Sequence, residues 1–342
     1  MAASTLHDFL EAQASTGNKI LRDVAATVSA LAAAALDVRA AIDHAELESD
    51  AGIAGEATRG LDCEADSLFL AAMRSAPVAV YSSGDVGDPE ILDREAPLAL
   101  AIQPLSGAAD IDANTPIATI FSLRPVADGT GADPRHPFLQ HGRTQRAAGF
   151  FLYGPKLVLV LTLGSGTHVF AYSARRKQFV QSRAELVIAE RAHEVVVEGS
   201  NHRHWHDAIR LYVDDCMKGS DGPRERDFAV RWSGSLVADT YRIVVRGGVF
   251  LHPGDYRQGG SRGHIGLVHA ASPIALLIEQ AGGAATDTVR AILDLVPVSL
   301  DQKTPFIFGA AREVARITRY HAEPSMIAER APLFGNRGLF RA

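Results

Sequence analysis

The order of two periodicities constrains this chain most. Helical spacing dominates the first part, and short apolar runs of strand length follow it. Leu6, Phe9 and Leu10 sit at helical spacing, as do Ile20, Val24, Val28 and Leu31. Ser15-Thr16-Gly17-Asn18 between them reads as a turn and a helix start, so residues 5–48 predict two helices. Small residues in Leu31–Leu36 suit close helix–helix approach. Residues 61–74, with Leu61, Leu68, Phe69 and Met73, predict a third helix. Strands follow at Val78–Tyr81, Leu98–Ile102, Pro116–Leu123 and Gly149–Tyr153. Leu157–Leu163 and His168–Tyr172 predict a hairpin around Gly164-Ser165-Gly166, and Asp128–His141 predicts a loop.

From about residue 186 strands and helices alternate. Strands are predicted at Glu194–Glu198, Phe228–Trp232, Val249–Leu251 and Phe306–Gly309. Helices are predicted at His206–Cys216, Gly234–Val245, Ser272–Ala281 and Arg312–His321, with Gly282-Gly283 as a C-cap. Lys218–Arg226 and a glycine-rich stretch ending at Gly263 predict loops, and no fixed-period repeat is present. Sheets of this kind must bury their faces against helices, which makes the class α/β. The 342 residues suffice for two α/β domains, divided here as 1–185 and 186–342.

A formal net charge of −6 argues against a nucleic-acid partner, which calls for a basic stripe. Cys63 and Cys216 form no CxxC, so neither a disulfide framework nor a zinc site is implied, and a reducing cytoplasm is the expected compartment. Cys63 beside Asp62 is expected to be a buried small residue. The N-terminus lacks a signal-peptide pattern. No apolar run reaches the ~18 residues of a membrane span; the longest are Leu157–Leu163 and Val28–Leu36.

Several segments carry a more specific signal. They are Gln103-Pro104-Leu105-Ser106-Gly107-Ala108-Ala109-Asp110-Ile111-Asp112, Thr119-Ile120-Phe121, Ala147-Ala148-Gly149-Phe150 and Leu152-Tyr153-Gly154. Val197-Glu198-Gly199, Arg231-Trp232-Ser233-Gly234-Ser235-Leu236-Val237-Ala238-Asp239, Gly247-Gly248-Val249-Phe250-Leu251-His252-Pro253 and Gln280-Ala281-Gly282-Gly283-Ala284-Ala285-Thr286 follow in order. In order and spacing, from about residue 5 to 322, they resemble the class I fructose-1,6-bisphosphatase family. The first resembles that family's signature Asp-Pro-Leu-Asp-Gly-Ser-Ser-Asn-Ile-Asp. The resemblance implies a layered α/β/α/β/α sandwich and a homotetramer or homodimer. It also implies Mg²⁺-dependent hydrolysis of the 1-phosphate of fructose 1,6-bisphosphate, in gluconeogenesis or the Calvin cycle.

Phosphate monoester hydrolysis demands enhancements of up to ~10²¹-fold. Clustered Mg²⁺ ions supply them by activating water and neutralising phosphate oxygens, and Mg²⁺ takes hard oxygen ligands. The family draws its carboxylates from a Glu-Glu pair, two signature aspartates and a distant glutamate. Those positions fall here on Ser82, Ser83, Gln103, Ser106 and Ala270, and the signature serines on Ala108 and Ala109. Asp62 matches a retained acidic residue, and the loop before it, Gly52–Gly60, is several residues short. Neutral amides and hydroxyls do not carry the charge that holds two or three Mg²⁺. The expectation is therefore a catalytically weak or inactive member that binds a phosphorylated metabolite or regulates an active enzyme. Two alternatives stand beside it. One is an active phosphatase whose metal ligands have relocated to Asp62, Glu64, Asp66, Asp110 and Asp112. The other is an interaction protein without a small-molecule site.

The family's phosphate-binding positions fall on Val197, Ser200, Trp232, His252 and His264. Arg231 is kept, and in the family it reaches into a neighbouring subunit's site. Ser235, Gly107, Ala108 and Ala109 complete the candidate phosphate contacts, the last three as a helix start whose backbone N–H groups favour anions. Of the family's AMP-inhibitor site, Thr16-Gly17 is kept, while a Lys-Tyr pair becomes Pro97-Leu98. His252, His264 and His269 map to pocket positions, where they are either acid–base or anion-binding groups or hydrogen-bonded structural ones. His202, His204 and His206 suit a transition metal or a surface loop.

Overall fold

The computed structural model describes residues 4–45, 54–126, 133–255 and 263–322, with the side chains of residues 54–59 and of Asp110 outside that set. The loops predicted around residue 130 and before Gly263 fall partly beyond it. Three helices come first, α1 (Leu6–Ala14), α2 (Lys19–His44) and α3 (Ala54–Met73). A capping box starts α1: the Thr5 hydroxyl accepts the Asp8 N–H at 3.1 Å, and the Asp8 carboxylate accepts the Thr5 N–H at 2.9 Å. Asn18 caps α2 by accepting the Ile20 N–H at 3.1 Å.

The first sheet contains β1 (Val78–Ser83), β2 (Glu90–Ile91), β3 (Leu98–Ser106), β4 (Ile117–Pro125), β5 (Ala147–Tyr153), β6 (Leu157–Thr162), β7 (His168–Ser173) and β8 (Gln178–Arg183). Its order is β2-β1-β3-β4-β5-β6-β7-β8, and only β1 and β3 run parallel. The second part contains β9 (Glu194–Val197), α4 (Asp207–Met217), β10 (Ala229–Arg231), α5 (Leu236–Arg246), β11 (Val249–His252), β12 (Ile265–Gly266), α6 (Ser272–Gln280), β13 (Ala284–Thr286), β14 (Lys303–Thr304), β15 (Phe306–Gly309) and α7 (Ala311–Ala322). Its main sheet has the order β10-β9-β11-β15-β13, and β12 pairs with β14.

Alternation along the strands builds the layers. On β6, Leu157, Leu159 and Leu161 pack with α1, α2 and α3, while Val158 and Val160 face the opposite way and pack with α5 and α6. Burial on both faces explains why this strand reads as an unbroken apolar run. In the second sheet Val196, Phe250 and Phe308 turn inward to α5 and α6. Val195, Val197, Leu251 and Ile307 turn outward to α4 and α7. The result is a five-layer α/β/α/β/α sandwich. Its outer layer contains a buried charge cluster: Glu313, 2% exposed, accepts from Arg224 Nη2 at 2.8 and 2.7 Å and from the Tyr212 hydroxyl at 2.9 Å.

Two sequence expectations need correction. By length and composition α2 is apolar enough to cross a membrane, because its 26 residues extend the alanine-rich run in both directions. Its Val24, Val28, Leu31, Ala35 and Val38 are packed in the core. Cys63 is exposed, because the inner face of α3 passes through Leu61, Ala65, Phe69 and Met73 instead.

Candidate functional site

Parallel pairing of β1 with β3 brings the ends of both strands together, with Ser82 opposite Ala101 and Ser83 opposite Ile102. Ser82, Ser83 and Gln103 therefore meet at one edge of the first sheet. The π-helical turn Leu267–Ala271, which carries His269 and Ala270, packs on the same sheet. Ser82 Oγ and His269 Nε2 share a hydrogen bond of 3.0 Å. Burial, with Arg124 nearby, pushes the His269 pKa down to about 4, so the ring is neutral at physiological pH.

Gln103 donates from Nε2 to Asp85 Oδ1 at 2.7 Å. Its Oε1 lies over Gly84, where an added Cβ would come within 2.2 Å of it. Ser83 Oγ accepts the Asp85 N–H at 3.3 Å. Asp85 was not anticipated from the sequence. Its one signal is its place directly after Ser82-Ser83-Gly84, beside the two positions that the family resemblance pairs with glutamates.

Asp62 and Asp66 lie one turn apart on α3 and face this edge. Burial, then the neighbouring Asp85, raises the Asp62 pKa to about 6. Asp62 Oδ1 is buried without a partner. Burial raises Asp85 too, opposed by the Gln103 hydrogen bond. Asp66 Oδ1 accepts the Tyr81 hydroxyl at 2.9 Å. Glu64 is exposed and lines a separate groove with Asp37 and His44. Asp112 is exposed and its carboxylate accepts the Ala113 N–H at 2.8 Å, a local turn contact. The Asp110 side chain lies outside the described set.

These residues do not fit the family's Mg²⁺ cluster. Among the described residues no group of three or more His, Cys, Asp or Glu is placed to hold a metal ion. At the five ligand positions, Ser106 and Ala270 offer no carboxylate, Ser82 is joined to His269, Ser83 to Asp85, and Gln103 presents an N–H donor to Asp85. A donor directed at a carboxylate occupies the side from which a cation would approach.

A second constellation lies at the β10 edge of the other sheet. Trp232, 41% exposed, stacks near Phe250 at 6.2 Å and lies 6.4 Å from the His252 ring. His252 meets the His264 ring edge-on at 5.8 Å, and burial followed by His264 lowers its pKa. His264 Nε2 reaches Asp255 at 3.6 Å. Arg231 and Trp232 border a cavity of about 640 Å³ that also receives Lys156, Tyr241, Arg242 and Arg246. Arg242 is spent on Glu194, with bonds of 2.6 and 2.7 Å. Arg231 and Arg246 also act on Glu194 through their charges, and Lys156 lines the same cavity.

Other candidate residues have structural roles. Ser235 Oγ accepts the Ala238 N–H at 3.3 Å as the α5 cap and donates to the Pro116 carbonyl at 2.8 Å. Asp239 Oδ2 accepts the Ser233 N–H at 3.3 Å. Gly107, at φ 86°, opens only the 3₁₀ turn Ala108–Asp110, too short for an aligned helix dipole. Ser200 donates to Glu198 at 2.6 Å. Thr16 donates to the Gln13 carbonyl at 2.8 Å, and Leu98 is fully buried. His202 pairs with Asp214 at 2.8 Å, His204 accepts from Arg203 at 2.9 Å, and His206 caps α4, so the three imidazoles diverge.

Comparison with known proteins places this geometry in a family. The fructose-1-6-bisphosphatase N-terminal domain matches residues 4–184, and the C-terminal domain matches residues 188–322. The chain is 52% identical to the class 1 fructose-1,6-bisphosphatase of Rhizobium meliloti, covering 100% of both chains. It is 46% identical to one from Xanthobacter autotrophicus, over 93% of this chain and 87% of the other. In fold it is similar to the apo crystal structure of Leishmania major fructose-1,6-bisphosphatase, with a TM-score of 0.83 at 23% identity over 94% of this chain and 100% of that one. The chain belongs to the class I fructose-1,6-bisphosphatase family.

Proposed function

We propose that this protein binds a phosphorylated sugar or a related metabolite in a regulatory role and hydrolyses it weakly or not at all. The internal pairing of the ligand positions carries this reading: Ser82 with His269, and the Gln103 amide with Asp85. A site so paired has spent the groups that would meet a cation. The binding half of the reading rests on the cavity beside Trp232, where Lys156, Arg231 and Arg246 supply charge for phosphate. Its relatives are named for fructose 1,6-bisphosphate, so that compound and other sugar bisphosphates are the first ligands to test. Exposed Val230 and Trp232 favour assembly as a homodimer or homotetramer.

The test measures phosphate release from fructose 1,6-bisphosphate with Mg²⁺, and melting temperature with a panel of sugar phosphates. The expected result is negligible turnover, together with a ligand-dependent rise in Tm that is lost in a Lys156→Ala, Arg231→Ala double variant. Turnover at ordinary enzyme rates, about 1–10³ s⁻¹, would refute the reading. If Asp62→Asn then abolished that turnover, the metal ligands would have relocated. If no sugar phosphate raised Tm, a purely structural role would replace it.

A further inference from the structure

Arg124 is among the largest fully buried side chains in the protein, at 0% exposure. It lies on β4 with Ser122, on the face turned toward α6 and the π-helical turn; Ala118 and Ile120 of the same face pack with α6. Its cross-strand neighbour is Ala99, and those of Ser122 are Ala101 and Ala148. Ala99 and Ala101 pack with Phe138, Val268 and Leu300, and Ala148 packs with the α5–α6 core, so the guanidinium is enclosed by apolar groups. Neither Arg124 nor Ser122 lines the two cavities described above.

Arg124 uses one nitrogen. Nη1 donates to the Gln140 carbonyl at 3.1 Å and to Thr144 Oγ1 at 3.4 Å. Nε and Nη2 are buried without a partner, and so is the Ser122 hydroxyl. The Nε and Nη2 hydrogens lie along one edge of the planar guanidinium, the fork that takes a two-point acceptor. No carboxylate pairs with Arg124 among the described residues. The charge is nevertheless present, because burial lowers its pKa only to about 10. Neighbouring His269 is an imidazole, which in either protonation state offers a guanidinium no negative charge. Buried charges in folded proteins are paired, and a buried guanidinium left without a counter-ion is strongly unfavourable.

We propose that the Nε–Nη2 edge of Arg124, together with the Ser122 hydroxyl, is a site for one small monovalent anion of the halide class, held between the first sheet and the π-helical turn beneath Ser82 and His269. The anion completes the charge balance of this layer and is independent of any ligand in the Trp232 cavity. Gln145 Oε1, a third buried group without a partner, identifies the competing occupant. It is an acceptor, so bridging waters between it and Arg124 are the alternative to an anion.

The full chain is crystallised and soaked in bromide, and its melting temperature is followed in chloride, bromide and gluconate at one ionic strength. An anomalous bromide peak in contact with Arg124 Nε and Nη2 is expected, with Tm rising with halide but not with gluconate. Ser122→Ala, which removes one neutral hydrogen bond, is expected to raise the halide midpoint about tenfold. Arg124→Met is expected to abolish the halide dependence. Should that variant fail to fold, the bromide map and the Ser122→Ala titration decide alone. A bromide map with water only between Arg124 and Gln145, or Tm equal in halide and gluconate, overturns the proposal.

Discussion

His269 is the most informative residue to perturb, because its protonation is coupled to folding at the altered metal site. Its folded pKa is about 4 against an ordinary imidazole value of 6.5, chiefly from burial and secondarily from Arg124, with Asp301 opposing. Above pH 6.5 the ring is neutral in both states and titration contributes nothing. Between pH 6.5 and about 4 only the unfolded chain binds the proton, so stability falls as pH falls. At about 1.4 kcal/mol per pH unit across that window the full loss is about 3 kcal/mol, complete below pH 4. His269→Gln keeps an amide that can reach Ser82 but cannot titrate. Urea unfolding of both proteins between pH 4 and 7.5 isolates this contribution, because Asp62 and His321, whose pKa values are also displaced, are common to both. The wild type should lose about 3 kcal/mol more than the variant on going from pH 7 to 4. Parallel pH profiles would show that His269 is not held neutral by its surroundings.

Three further outcomes are expected. Glu313→Gln leaves Arg224 buried without its counter-charge and should cost about 3–5 kcal/mol in chemical denaturation; a loss below about 1 kcal/mol would mean the pair is solvated. Gly149→Ala would put a Cβ 2.6 Å from Phe121 Cζ and 2.7 Å from the Val160 carbonyl oxygen. Overpacking of this kind costs about 1–3 kcal/mol, read as a lower unfolding midpoint, and an unchanged midpoint would contradict the close approach of β4, β5 and β6. Asp85→Asn removes the second cause of the raised Asp62 pKa. Carboxyl NMR should then show Asp62 titrating below about 6, and no movement would assign the whole shift to burial.

Much of the architecture was legible locally. The Leu/Val alternation of β6, the Asn18 cap of α2 and the hairpin of β6 with β7 follow from periodicity and turn chemistry. Strands that are short or polar were missed: β2 has two exposed residues, and β8 buries fully only Phe179. Such strands owe their place to a neighbour's open edge, which local pattern does not encode.

The sequence by itself determined the motifs that resemble the family and the absence of carboxylates at Ser82, Ser83, Gln103, Ser106 and Ala270, because residue types are read directly. Only the tertiary structure decided what took their place. Ser82 meets His269 across 187 positions, and Gln103 meets Asp85 across 18. Asp62 acquires a raised pKa from a neighbour on another element, and Arg124, ordinary in sequence, is fully buried. Helix and strand periodicity specify which face of an element turns inward. Which polar groups then face one another, and which are left without a partner, depends on how distant elements dock, and their energies are set by that burial.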